Sequence, residues 1–407
     1  MFYILYMSQL TSIHKPIPLF KVFMSNTAPK NVGEVLMSGF VGEGKKVKEF
    51  EDKLKIYFGN KNLVVLNSAT SALHLAIHML KKPNSLIENT YKHAPQLSEW
   101  PGLNPGDEVL TCPLTCTATN WPILANGLEI KWVDVNPDTC NMCLEDLEHK
   151  LSPKTKIIML VHWGGNPIDL DGVERIKDIC KKKYGFRPVV IEDAAHSFGS
   201  TYKGAKLGNT NHDNFVVYSF QAIKHLTSVD GGCLILPDDR VMKRAKLLRW
   251  YGIDREENTK DFRCENNIEE WGFKFHMNDV CATIGLSNLP HIETIIEKHR
   301  QNAAYYTKEL KNIKDVEIFD SSDNSSSHWV YTIKVERQKS FIELMKRKEI
   351  MVSRIHERND KHSCVNQYKV NLPNIDKLVN KMVSIPVGWW LSKEEREYIV
   401  ESIKEGW

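Results

Sequence analysis

Apolar and polar positions along the chain follow two alternating periods. Val47, Phe50, Leu54 and Tyr57 recur at helical spacing and stop at Gly59-Asn60, which predicts an amphipathic helix closed by glycine. Residues 63–66 then read as a buried strand, and Ala72, Leu73, Ala76, Ile77 and Leu80 form the apolar face of the next helix. The alternation continues with strands at 109–112, 128–135, 156–161 and 189–191 and helices at 144–151 and 173–184. Two further apolar runs, 215–218 and 233–236, flank a polar loop. Such a pattern predicts an α/β chain whose large domain holds a mostly parallel sheet flanked by helices, with right-handed crossovers. Leu289, Ile292, Ile295 and Ile296 share one face of a long helix predicted over 288–313, and strand (329–335) and helix (341–348) signals follow it. The chain is thus read as a flexible tail (1–17), a large domain (18–287), and a linking helix with a smaller α+β C-terminal domain (288–407).

Three stretches carry candidate chemistry. Ser68, Ala69, Thr70 and Ser71 form a hydroxyl-rich turn between the first strand and its helix. Free N–H groups and the helix dipole make such a turn an anion site, although plain N-capping by Ser68 or Thr70 uses the same residues. Lys224 sits in the loop between 215–218 and 233–236, after Ser219 and before Gly231-Gly232. Burial would lower its pKa from about 10.4 and leave a neutral amine able to condense with a carbonyl; a solvated loop lysine is the plain alternative. Asp193 follows the strand run 189–191, at the carboxyl end where open α/β sheets bind ligands. Alone it reads equally as a helix N-cap. A carboxylate for a pyridinium nitrogen and a lysine for an aldehyde are together the two contacts that pyridoxal phosphate needs.

The segments IEDAAHSFGSTYKGAKLG and YSFQAIKHLTSVDGG resemble the DegT/StrS-type sugar aminotransferases, which share the aspartate aminotransferase fold, fold type I of the pyridoxal-phosphate enzymes. The resemblance runs from PLFKVFMS to IPVGWW. It implies pyridoxal 5'-phosphate on Lys224, Asp193 at its ring nitrogen, His196 near its 3-hydroxyl, and Ser68, Ala69, Thr70 and Ser219 at its phosphate. It implies a homodimer in which Lys274, in WGFKFHMNDV, reaches the partner's cofactor where relatives carry asparagine. It also implies a nucleotide-linked keto-sugar as substrate, glutamate as amino donor, and sugar contacts from the loop Ser353 to Cys364. Arg354, His356, Arg358 and Lys361 are the candidates there, with His362 beside them, because arginine forks suit a diphosphate. His162, at a strand end, is a further candidate for lining the site.

The chain departs from the family in three places. Cys116 takes the position of the aromatic ring that usually stacks on the cofactor, with Trp121 as the nearest compensating ring. Lys274 replaces asparagine. Residues 81–104 form a polar insertion without a family counterpart. A sugar dehydratase of the same fold is the first rival, since those relatives carry histidine in place of the lysine and His225 is adjacent. A non-catalytic regulator is the second.

Composition narrows the picture little. A net charge of +3 is too small to argue for nucleic-acid or membrane partners, and none is expected. Cys140 and Cys143 form a lone CxxC without a second pair, so no metal site is expected. Nine dispersed cysteines fit a reducing, cytoplasmic setting, and no apolar run is long enough for a membrane span.

Overall fold

The computed structural model describes residues 16–81, 100–255, 267–319 and 325–407. In chain order its first strands are β1 (Leu63–Leu66), β2 (Glu108–Thr111), β3 (Glu129–Trp132), β4 (Thr155–Val161) and β5 (Val189–Asp193). The short pair β6 (Thr201–Tyr202) and β7 (Ala205–Lys206) and the strands β8 (Phe215–Ser219) and β9 (Gly232–Ile235) follow. Seven of these form one sheet in the order β1-β9-β8-β5-β4-β2-β3. The pairings from β8 across to β3 are parallel, and β9 is antiparallel to both its neighbours. Every residue of β4 and β5 is buried, as expected for parallel strands covered by helices on both faces.

Local signals explain most boundaries. The helix Lys45–Phe58 stops where Gly59 adopts a left-handed φ of 70° and its amide bonds back to Ile56. The helix Ala69–Met79 starts at Ser68, whose hydroxyl accepts the Ser71 amide at 3.1 Å. Two expectations need correction. The strand expected over 128–135 ends at Trp132, and Val135 pairs only with Met142 outside the sheet. The long helix expected over 288–313 is broken. A helix Asp279–Asn288 gives way to a 3-10 turn, Leu289–His291, and a new helix runs Ile292–Leu310. Pro290 lacks the amide that a continuous helix would need at that point.

A second sheet, β10 (Val316–Ile318), β11 (Tyr331–Val335) and β12 (Met382–Ile385), is antiparallel. Tyr306, Ile333, Phe341, Ile385 and Ile399 centre its own apolar core. Val365, Leu372, Ile375 and Leu378 pack instead into the core of the large sheet. The segment after Ser353 therefore returns to the large sheet, which brings the loop at Arg354–Lys361 over the carboxyl ends of the parallel strands. The expected tail lies outside the described residues up to residue 15, as do residues 82–99 of the insertion; Trp100 closes the near end by donating to the Leu80 carbonyl at 3.1 Å.

Candidate active site

The site is built where β5 and β8 end side by side. β5 ends on Glu192 and Asp193, and the chain turns at once through Ala194 to His196. The two acids have separate tasks. Glu192 has both oxygens occupied, by Asn214 at 2.7 Å and by the His162 ring at 2.9 Å. Asp193 accepts the Thr119 hydroxyl on one oxygen at 2.7 Å and the Ala195 amide on the other at 3.0 Å. Burial raises its pKa, while the Thr119 and Ala195 hydrogen bonds and the Lys224 charge oppose the rise.

Lys224 lies across from Asp193 and Cys116, half-buried among protein groups. Burial pushes its amine down to about 8, against the attraction of Asp193. The ammonium end sits 3.7 Å from the centroid of the Trp329 ring. His225, the neighbour that leaves the dehydratase register open, is directed elsewhere: its Nε2 meets the Ser327 carbonyl at 3.1 Å and its ring packs 4.6 Å from His299. The amine beside Asp193 is therefore that of Lys224.

His196 stacks on Trp329 with centroids 3.9 Å apart and planes 16° apart, and His356 lies parallel to it at 5.6 Å. Burial lowers the pKa of both rings, for His356 to about 4, so both are neutral at physiological pH. His196 Nδ1 and His356 Nε2 are buried and have no hydrogen-bond partner among the described residues. Gly165, at φ 97°, makes the floor possible: a Cβ there would fall 2.7 Å from Ser327 Oγ and 3.0 Å from the His196 carbonyl.

The turn at Ser68 closes the other side. Ser68 and Ser71 share a hydroxyl contact at 2.9 Å, and Ala69 and Thr70 lie in the first helical turn, where amides lack intrahelical acceptors. β9 presses on this turn, because a Cβ on Gly232 would lie 2.5 Å from the Ala69 nitrogen. Ser219 ends β8 beside it with its hydroxyl accepting only the Gln221 amide, at 3.3 Å. A cleft of about 520 Å³ lined by Asn67, Ser68, Ser71, Asp230 and Asn278 opens at the turn. The exposed Lys274 is adjacent through its backbone, whose carbonyl accepts from Asn67 at 3.3 Å.

These residues fit pyridoxal phosphate. An acid buried at a strand end, a lysine amine beside it, an imidazole nitrogen without a partner and a hydroxyl-lined helix start match the ring nitrogen, aldehyde, phenolic hydroxyl and phosphate in turn.

Two sequence candidates are corrected. His162 is fully buried and does not line the chamber: Nδ1 accepts the Ile168 amide at 3.2 Å and Nε2 faces Glu192, so neither nitrogen remains for a ligand. Arg358 holds no free fork. Its Nε and Nη2 pair with Asp360 at 2.7 and 2.6 Å, and Nη1 pairs with Asp376. Arg354 stays partly exposed and pairs with Glu357 at 2.8 Å, which also faces Lys361 at 4.0 Å. Cys116 precedes the helix Thr117–Ala125, and Trp121 on that helix meets His362 edge-on at 5.8 Å instead of covering the lysine. Thr119, bonded to Asp193, and Trp329, against Lys224, are the residues of the candidate site that the sequence reading does not include. The hydroxyl-rich start TCTAT was a usable signal for Thr119; Trp329 lay within an apolar run read only as strand.

Comparison with known proteins adds an independent line. The profile of the DegT/DnrJ/EryC1/StrS aminotransferase family matches residues 24–404. The chain is similar to the UDP-4-amino-4-deoxy-L-arabinose–oxoglutarate aminotransferase of Shewanella sediminis, at 30% identity over 71% of this chain and 68% of that one. Among solved structures it is similar to AtS13 from Actinomadura melliaura, at 44% identity and a TM-score of 0.89, covering 97% of this chain and 100% of that one. It is also similar to the sugar aminotransferase CalS13 from Micromonospora echinospora, at 42% identity and a TM-score of 0.87, covering 96% and 100%.

Proposed function

The chain belongs to the DegT/DnrJ/EryC1/StrS aminotransferase family, and from that premise we propose that it aminates a nucleotide-linked keto-sugar with glutamate as the amino donor. The observation that carries this reading is the convergence of Lys224, the buried Asp193 and a His196 whose Nδ1 has no partner among the described residues, Lys224 and His196 both lying on the Trp329 ring. The family is pyridoxal-phosphate-dependent, and the bound cofactor supplies an aldehyde and an electron-withdrawing ring. The chain's own residues do the rest. Asp193, steadied by Thr119, holds a positive charge at the ring nitrogen. Lys224, neutral in a useful fraction near pH 8, takes a proton from the donor carbon and returns it as general acid–base. His196 Nδ1 orients the phenolic edge, and the Ser68–Thr70 turn with Ser219 anchors the phosphate.

In this reading His356, a neutral ring with a free nitrogen inside the chamber, contacts the sugar rather than the diphosphate, and Arg354 and Lys361 meet the diphosphate at the rim. The Shewanella relative carries oxoglutarate, the keto acid of glutamate, in its name. The active unit of the proposal is a homodimer. A cleft of about 1250 Å³ between the first helices and Asp279–Asn288 contains none of the chemistry above, and Phe40 beside it is 84% exposed. A second copy seated there would cover that apolar surface, with Lys274 free to reach the partner's phosphate. No described helix is long and apolar enough to cross a membrane. Eight described cysteines are free, which supports a cytoplasmic setting.

Incubation with glutamate and a set of nucleotide-linked keto-sugars tests the function. An amino-sugar product from at least one supports it, and a dehydrated, nitrogen-free product would favour the lyase rival.

A further inference from the structure

Trp329 is 2% exposed, and its contacts converge on the loop that carries the lysine. Its indole N–H donates to the carbonyl of Ile223, the residue before Lys224, at 2.9 Å across 106 positions of sequence. Its ring carries the Lys224 ammonium 3.7 Å from its centroid. His196 stacks on it at 3.9 Å, and Phe20, from the entry segment, stacks at 4.9 Å with planes 25° apart. One side chain thus touches the lysine, the loop backbone beneath it, and the imidazole of the chamber.

We propose that Trp329 is the positioning residue for Lys224, its indole face holding the free amine beside Asp193 and its N–H fixing the loop from which the amine projects. The proposal rests on the reading of Lys224 as the amine that bonds the cofactor aldehyde. A lysine side chain has several rotatable bonds, and once released it must return to one place to move a proton; a fixed surface removes that freedom. An aromatic face attracts the ammonium through its ring quadrupole. Cys116, the other side chain near the amine, offers it no such face.

The consequence is measurable on the free amine. The titratable groups near Lys224 are Asp193 from the end of β5, Cys116 from the start of the helix Thr117–Ala125, and His196 and His356 from the surrounding loops, with the adjacent His225 turned toward Ser327 and His299 but still sensing the lysine charge. Asp193 favours the charged amine and burial disfavours it; the indole adds to the favourable side. Replacing Trp329 by an aliphatic residue removes that addition, so the amine titrates lower.

The test uses full-length protein stripped of cofactor. Pyridoxal 5'-phosphate is added across a pH series, the imine is reduced with borohydride, and the adduct is located by peptide mass. In the unmodified protein the labelling rate at Lys224 rises through about 8. In Trp329→Leu the midpoint moves down by about half a unit to one unit. Trp329→Phe keeps an aromatic face without the N–H and restores most of that shift. Trp329→Met fills volume without a face and replaces the leucine variant if that fails to fold. An unchanged midpoint in the aliphatic variants, or a phenylalanine variant that behaves like them, overturns the proposal. Lys224→Ala separates the two claims: a specific adduct that persists elsewhere in the chamber would defeat the reading of Lys224 itself, whatever Trp329 does.

Discussion

Thr119 donates its hydroxyl to the Asp193 carboxylate at 2.7 Å and is itself tied to Thr115 at 2.8 Å. The two partners come from different strand–helix units of the parallel sheet. A buried carboxylate needs donors to stay ionised and aimed, and this one receives a hydroxyl and one backbone amide from the protein. Thr119→Val keeps the shape and removes the donor. It is expected to lower kcat/KM about ten- to a hundredfold, in line with about 1.5–3 kcal/mol for a hydrogen bond to a charged group. Thr119→Ser is expected to retain most of the activity. Equal loss in both variants would mean that Thr119 serves packing alone.

Asp193→Asn should keep part of the cofactor affinity while slowing turnover by at least a hundredfold, because a neutral amide cannot stabilise a positive ring nitrogen. Glu192→Gln is the control. Both Glu192 oxygens are engaged by His162 and Asn214, so its loss should appear in melting temperature before it appears in kcat. The reverse pattern would exchange the roles of the two acids.

Acid should unfold the cofactor-free protein early. Burial holds His299 and His328 at about 4 in the folded chain, well below the free imidazole. Between about 6.5 and 4 the unfolded chain therefore binds more protons, so stability falls as pH falls through that window. The fully buried His299 alone accounts for on the order of 3 kcal/mol by this linkage. Melting temperature measured from pH 7 to 4 should drop steeply, and His299→Gln should flatten the drop. A level profile would contradict the buried neutral assignment.

The two arginines of the Ser353–Cys364 loop should separate cleanly. Arg358→Ala leaves Asp360 buried and unpaired, which is expected to cost about 3–5 kcal/mol of stability. Arg354→Ala leaves only a half-exposed ion pair broken, so the fold should stand and KM for the nucleotide-sugar should rise. A stable, active Arg358→Ala protein would overturn the structural role given to that side chain.

The sheet was legible in the sequence because each strand run is short, apolar and punctuated. Leu63–Leu66 was read with its observed bounds, and the glycine and serine caps around the first helices were visible as residue types. Lys224 and Asp193 stand out in the sequence because each follows such a strand, and the structure brings them near each other. The errors differ in cause. Arg358 looks like a free fork only if Asp360, two residues on and engaging both Nε and Nη2, is left out, whereas His162 looks open because Glu192 and the Ile168 amide meet it only in the fold. Trp329 reaches Ile223 across the interface between the two sheets, a contact that no local pattern announces. Pro290, by contrast, is a readable stop within the helix expected over 288–313, outweighed there by the apolar face around it.

The central claim is that the amine of Lys224 serves a transamination of a nucleotide-linked keto-sugar. The most direct measurement follows a nitrogen isotope from labelled glutamate into the sugar, with unmodified protein and Lys224→Ala side by side. The account predicts labelled amino-sugar from the first and none from the second, with the variant still folded by circular dichroism. Label transferred at an undiminished rate by Lys224→Ala, or no transfer by the unmodified protein to any keto-sugar tried, would contradict it.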